Sequence, residues 1–194
     1  MSRPGNRPPR RRASRPARVA VAGLALVTLL SGCGLVGRAK TVRAFVPANM
    51  TVTSQAFSPS KAIPAQYTCH GAGLSPSIHW TGAPPATKSL AVIVDDSAAP
   101  ITPYIYWIVF DIGPQTSGTL IGHAPAGARE ADNSKGTARY DPPCPVNSSH
   151  MYRFTVYALN RTLSLPKGAS MKTAWMAIAQ ATIARGRLTA TANP

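Results

Sequence analysis

Three short apolar runs, separated by segments rich in glycine, proline, serine and asparagine, restrict the fold of this chain more than any other feature. They occupy residues 90–94, 105–110 and 152–159. The first run is apolar at every position, which is typical of a strand buried on both faces of its sheet. In the third run the pattern has a period of two. The side chains expected on one face there are His150, Tyr152, Phe154 and Val156. Runs of this length and spacing predict a fold built mainly from strands.

A helix is predicted only near the C-terminus. Ser170 can cap its start, residues 171–184 form its body, and Gly186 ends it. The residues that recur there at helical spacing are Ala174, Trp175, Ile178, Ala181 and Thr182. A final strand is expected at residues 187–192. Many short strands with one late helix are typical of an all-β sandwich or an α+β domain.

The N-terminal 32 residues differ from the rest of the chain. They contain seven arginines and no acidic residue, and an apolar run covers residues 19–30. This run is shorter than the roughly 18 residues of a spanning helix, so it predicts an export signal rather than a permanent span. The sequence Leu-Ser-Gly-Cys at residues 30–33 resembles the lipobox of bacterial lipoproteins, in which the cysteine is acylated and becomes residue one.

This resemblance implies a lipoprotein signal peptide at residues 1–32, a lipidated Cys33 with a tether at 33–49, and one domain at 50–194. We therefore expect the protein at the cell membrane, anchored through its N-terminal lipid on the extracytoplasmic face. Two alternatives stay open. One is an uncleaved N-terminal anchor with an incidental cysteine, and the other is a start codon assigned too early.

The net charge of +15 belongs in large part to the signal segment. Its removal leaves fourteen basic and six acidic residues, a net charge of +8. The remaining basic residues are scattered singly and have no interleaved aromatic residues, unlike a surface that follows a nucleic-acid backbone. We expect no nucleic-acid partner, and a mildly basic face toward anionic lipid is the simpler interpretation.

Two cysteines remain besides Cys33, namely Cys69 and Cys144. Outside the cytosol an even number of cysteines favours a disulfide. Two buried free thiols are the alternative.

Two clusters of polar side chains can form a binding site. Asp95 and Asp96 end the first apolar run, where they either orient a ligand or only stabilise a turn. The second cluster consists of the rigid loop at residues 140–145 and of His150 and Tyr152, which enter the next strand. These two side chains project from one strand face and can donate hydrogen bonds to an anion such as phosphate, although a single strand histidine is more often a core residue.

Several segments, in order, carry a wider resemblance. They are Phe57, residues 63–69, 74–80 and 84–90, Asp95-Asp96, Asn133-Ser134, Gly136-Thr137, Tyr140, residues 143–145, His150, Tyr152, Phe154 and residues 157–159. Together they resemble the phosphatidylethanolamine-binding protein family in its bacterial Raf-kinase-inhibitor-like branch, over residues 50–191. The segments at Phe57, 63–69 and 74–80 look like the opening strands of that family.

The resemblance implies a mainly β fold, a β-sandwich of two antiparallel sheets with a C-terminal helix. It also implies a small pocket for an anion or a phospholipid headgroup, without a metal or other cofactor. The ligand-binding residues carried over by position are Asp96, Tyr106, Pro143, Pro145, His150 and Tyr152.

This chain departs from the family pattern at three positions. Ala98 stands where the motif has its second acid, Tyr106 where it has a histidine, and Met151 where it has an arginine. We therefore expect weaker anion binding, or a preference for a less charged ligand.

Catalysis is not expected. Ser148 or Ser149 beside His150 lacks the G-x-S-x-G turn of a hydrolase, and Cys144 loses its thiolate in a disulfide. Residues Cys69, His70 and His79 lack the spacing of metal ligands. The alternative function is a protein-interaction module that inhibits a protease or kinase, and an envelope or secreted protease is the partner that suits an exported protein.

Overall fold

A computed structural model describes residues 48–96 and 103–194. The predictions about the signal peptide, Cys33, Ala98 and nearly all of the tether lie outside these residues. The described residues belong to one compact unit. None of the helices in this part is both long enough and apolar enough to cross a membrane.

Eight strands and one α-helix make up the described part of the chain. The strands are β1 (Ala48–Asn49), β2 (Thr51–Thr53), β3 (His79–Thr81), β4 (Ser89–Asp96), β5 (Ile105–Ile112), β6 (Arg129–Ala131), β7 (His150–Leu159) and β8 (Thr182–Ala192), and the helix is α1 (Met171–Ala181). One sheet has the order β1-β8-β7-β4-β5-β6, and the other consists of β2 and β3. Neighbouring strands are antiparallel, except that β1 joins β8 in parallel.

Strand β4 lies at the centre of the large sheet and is buried at all eight positions. Leu90, Val92 and Val94 pack on one face with Val52 and Trp80 of the small sheet. Ala91 and Ile93 pack on the other face with Ala174 and Ile178 of α1. The continuous apolar run is thus explained by burial on both faces, and the predicted β-sandwich with a C-terminal helix is confirmed.

The end of α1 differs from the prediction. Ser170 caps the helix, since its Oγ accepts the N–H of Thr173, but the helix ends at Ala181 rather than at residue 184. Strand β8 begins at Thr182, five residues before its predicted start. Thr182 and Ile183 are β-branched, and pairing of Thr182 with Leu159 of β7 supplies the backbone partners of a strand.

The predicted opening strands are also only partly correct. Residues 63–69 contain a 3-10 helix at Ala65–Tyr67, which follows directly after Pro64. Within residues 74–80, only His79 and Trp80 lie in a strand. The fixed backbone angle of Pro64 and its missing N–H disfavour ladder pairing at this point.

Candidate functional site

Asp96 and His150 meet at one end of the large sheet. Asp96 is the last residue of β4 and lies opposite Tyr152 in the register with β7. His150 is two residues before Tyr152, and its Nδ1 lies 2.6 Å from Oδ2 of Asp96. The Asp96 side chain is 5% exposed, whereas that of His150 is 33% exposed. An ionised carboxylate only accepts hydrogen bonds, so Nδ1 of His150 is the donor and the ring is held in one orientation.

Tyr152 and Tyr106 extend the site as an aromatic pair. Their ring centroids are 5.2 Å apart at 74°. Burial first, and then the nearby Tyr152 hydroxyl, raises the pKa of Tyr106. Burial also raises the pKa of Tyr152, so both phenols keep their protons and can donate. The hydroxyls of Tyr106 and Tyr152 are close enough to affect each other's pKa, but they do not form a hydrogen bond. The buried Tyr152 hydroxyl has no hydrogen-bond partner among the described residues.

A pocket of about 240 Å³ adjoins this pair. Its lining residues are Tyr104, Tyr106, Lys135, Asp141, Pro142 and Cys144. Asp141 accepts two hydrogen bonds. Lys135 Nζ donates to its Oδ1 at 2.7 Å, and the Tyr104 hydroxyl donates to its Oδ2 at 3.0 Å. Burial, followed by the hydrogen bond to Asp141, raises the pKa of Tyr104 to about 12. Tyr106 lines this pocket and also contacts Tyr152, so it connects the pocket to the Asp96–His150 pair.

The predicted disulfide is present and shapes the pocket wall. Cys69 and Cys144 are bonded, with Cα atoms 5.3 Å apart. The N–H of Cys69 also donates to the carbonyl of Pro143 at 3.0 Å. Pro142 and Cys144 line the pocket, whereas Pro143 and Pro145 are buried behind it. Ligand contact by Pro143 and Pro145 therefore stays a prediction.

The two adjacent aspartates point to different partners. Asp95 lies opposite Arg153 in the register with β7 and forms an ion pair with its guanidinium. Asp96 faces His150 instead. Successive side chains of a strand project to opposite faces, so only Asp96 belongs to the site.

Four lining residues were not assigned to ligand binding from the sequence, namely Tyr104, Lys135, Asp141 and Pro142. Tyr104 and Tyr106 are two residues apart where β5 begins. This spacing was the sequence signal that could have indicated Tyr104. Nothing local indicated that Lys135 would reach Asp141, because this contact depends on how the loop between β6 and β7 folds.

The geometry also bears on the catalytic alternatives. Cys144 is bonded to Cys69 and has no thiolate to use as a nucleophile. Ser148 and Ser149 are exposed, and within the described residues neither forms a hydrogen bond with His150. The arrangement therefore supplies hydrogen-bond donors around a small pocket rather than a nucleophile with its base.

Two bacterial proteins of known structure have the same architecture. The chain resembles a phosphatidylethanolamine-binding protein homolog from Chlamydia trachomatis, with a TM-score of 0.68 and 36% identity, over 74% of this chain and 96% of that one. It also resembles YbcL of Escherichia coli, described as a member of the mammalian PEBP family. The TM-score is 0.71 and the identity 26%, over 76% of this chain and 99% of that one.

Sequence relatives agree with these structures. The chain is 40% identical to the Mycobacterium tuberculosis protein named "Putative lipoprotein LppC" over 190 residues, which is 89% of this chain and 94% of that protein. A UPF0098 protein of Methanothermobacter thermautotrophicus is 39% identical over 126 residues, 62% of this chain and 83% of that protein. The family model described as "Phosphatidylethanolamine-binding protein" matches residues 53–193. The chain therefore belongs to the phosphatidylethanolamine-binding protein family.

Proposed function

We propose that this protein is a membrane-anchored extracytoplasmic binding protein whose pocket accepts a small phosphate-bearing anion or a phospholipid headgroup. The observation that carries the proposal is the contact of 2.6 Å between His150 and the buried Asp96, next to the Tyr152 hydroxyl, which has no hydrogen-bond partner among the described residues. These groups converge at one end of the sheet, beside a pocket that opens to solvent.

The donors fit an oxyanion. Asp96 accepts the N–H of His150 Nδ1, so Nε2, which has no partner among the described residues, is left for a ligand, and it donates to an oxyanion when the imidazole carries both protons. The protonated hydroxyls of Tyr106 and Tyr152 add neutral donors. Lys135 compensates the negative charge of Asp141, which reduces its repulsion of an anion, and the carboxylate of Asp96 accepts the N–H of His150.

The size of the pocket favours a headgroup-sized ligand. Its volume of about 240 Å³ lies below the roughly 300–1,000 Å³ of pockets that enclose drug-sized molecules. Acyl chains would have to remain outside. The proposed ligand is therefore a compact phosphate compound, either free or at the end of a lipid.

The membrane anchor is supported by the mycobacterial relative. The match covers 89% of this chain, and the part left unmatched is shorter than the 32 residues that precede Cys33. The similarity to a protein named as a lipoprotein therefore extends across Cys33.

Titration with inorganic phosphate and with O-phosphorylethanolamine tests the pocket. We expect the full-length protein to bind both with millimolar dissociation constants, because Tyr106 and Met151 replace a histidine and an arginine of the family pattern. His150→Ala should weaken binding about tenfold or more, since a hydrogen bond to a charged group is lost. Calorimetry or amide chemical shifts would report the change.

The matched control is His70→Ala, which removes an exposed imidazole outside the site. It should leave the affinity unchanged. Phosphate binding that survives both His150→Ala and Asp96→Asn would contradict the proposed pocket. Micromolar affinity for O-phosphorylethanolamine would contradict the expected weakening by Tyr106 and Met151.

Cell fractionation tests the anchor. We expect the wild-type protein in the membrane fraction and Cys33→Ala in the soluble or secreted fraction, because acylation provides the attachment. Cys69→Ala/Cys144→Ala serves as the control, since it removes cysteines without affecting the lipidation position. A Cys33→Ala protein that remains wholly with the membrane would refute the lipid anchor.

A further inference from the structure

A second pocket, which we name the Arg139 pocket, lies next to the site but shares none of the first pocket's lining residues. Its volume is about 330 Å³. Its lining residues include Leu74, Ser75, Trp107, Glu130, Arg139 and Tyr140. Tyr140 immediately precedes Asp141 of the first pocket, so the two pockets are neighbours along the chain. The proposed phosphate site does not use any of these six side chains.

Ser75 provides a buried hydroxyl that lacks a partner. The residue is 2% exposed, and its Oγ forms no hydrogen bond with any described residue. Buried hydroxyl groups are nearly always hydrogen-bonded, and an exception requires an explanation. Because Ser75 lines the Arg139 pocket, a polar group of a ligand in this pocket is the natural partner.

Two opposite charges line the same pocket without neutralising each other. One oxygen of Glu130, Oε1, accepts the indole N–H of Trp107 at 2.7 Å, and this bond fixes the carboxylate. Its second oxygen has no partner in the described part of the chain. The guanidinium of Arg139 is exposed and forms neither a hydrogen bond nor an ion pair with the described residues. A ligand with both charges would satisfy both groups.

The remaining walls are apolar. The rings of Trp107 and Tyr140 pack edge to face with centroids 5.7 Å apart. Leu74 lies beside Gly122, which has a φ of +74° and at which an added Cβ would approach Leu74 Cδ2 to 3.3 Å. Glycine is therefore the residue that permits this shape. The walls provide an apolar surface for a small hydrophobic or aromatic group.

We propose that the Arg139 pocket binds a small zwitterion of the amino-acid type. Glu130 receives the ammonium group, Arg139 and Ser75 receive the carboxylate, and the apolar side chain packs against Trp107 and Tyr140. This inference does not depend on the phosphate site, because the two pockets have different lining residues.

Three probes with the same aromatic side chain distinguish the two charges. They are L-phenylalanine, phenylalaninol, which lacks the carboxylate, and N-acetyl-L-phenylalanine, which lacks the ammonium group. In calorimetric titration of the full chain at millimolar concentrations, we expect L-phenylalanine to bind about tenfold or more tightly than either analogue.

Two variants should remove this selectivity in opposite ways. Arg139→Gln should bind L-phenylalanine and phenylalaninol equally, because the carboxylate loses the guanidinium that would pair with it. Glu130→Gln, whose amide oxygen can still accept the Trp107 indole N–H, should bind L-phenylalanine and N-acetyl-L-phenylalanine equally. Arg161→Gln is the matched control on an exposed arginine outside this pocket and should retain the wild-type preference.

Three results would overturn the proposal. They are the absence of L-phenylalanine binding by the wild type, equal binding of all three probes, and unchanged selectivity in both Arg139→Gln and Glu130→Gln. Thermal unfolding of each sample shows that the variant is folded, and a failure of phosphate binding would concern only the first pocket.

Discussion

Replacement of both Cys69 and Cys144 by serine is expected to lower the free energy of unfolding by about 4 kcal/mol. The disulfide joins residues 75 positions apart. A cross-link over a loop of this length reduces the conformational freedom of the unfolded chain, and the loss of that restriction stabilises the unfolded state. Denaturant titration of the oxidised wild type and of the double variant measures the difference directly.

The structure also predicts a local effect of this change. The bond connects Cys144 of the pocket wall to the segment after the 3-10 helix, where the Tyr140 hydroxyl donates to the carbonyl of Tyr67 at 3.1 Å. Without the bond we expect phosphate affinity to fall together with stability. Reduced wild-type protein is the control and should behave like the variant. Equal unfolding midpoints for the oxidised and reduced forms would show that the bond contributes nothing.

The second large effect is expected for Gly186→Ala in β8. A Cβ at this position would lie 2.2 Å from the carbonyl oxygen of Met50 and 2.9 Å from Val52 Cγ2. The first of these atoms belongs to backbone and cannot move away as a side chain could. Overpacking of this kind costs about 1–3 kcal/mol, and we expect the upper part of that range. The segment that joins β1 to β2 would have to shift away from β8.

Gly113→Ala is the matched control for this prediction. The nearest atom to a Cβ there is Thr116 Oγ1 at 3.5 Å, which is an ordinary van der Waals contact. A surface change of this kind alters stability by less than about 0.5 kcal/mol. Thermal unfolding of both variants provides the comparison. Similar melting temperatures for Gly186→Ala and Gly113→Ala would mean that the contact between β8 and Met50 is not a packing constraint.

The boundary between α1 and β8 shows where the local sequence pattern is no longer sufficient to predict secondary structure. The helical spacing of apolar residues continues to Thr182, and the sequence alone therefore favours a longer helix. In the structure, Thr182 pairs with Leu159 of β7 and the helix ends one residue earlier, at Ala181. The competing partner is more than twenty residues away, and no window of neighbouring residues contains it.

Some features of the site could likewise be predicted from neighbouring residues, whereas others depend on residues distant in the sequence. The period of two in β7 placed His150 and Tyr152 on one face, because the alternation of side chains is a property of the strand itself. The sequence by itself also determined that β4 is buried on both faces. Only the tertiary structure decided that Asp96, 54 positions before His150, is the aspartate that contacts it, while Asp95 pairs with Arg153.

The physical reason is strand register. A shift of one residue between β4 and β7 would exchange the faces of Asp95 and Asp96, and with them the partner of His150. The register is set by packing of the whole core and not by the residues around either aspartate. The loop contacts of Lys135 and Tyr104 with Asp141 depend on tertiary structure for the same reason. The sequence determined strands β4, β5 and β7 and the residue types of the site, and the fold decided which of these residues meet.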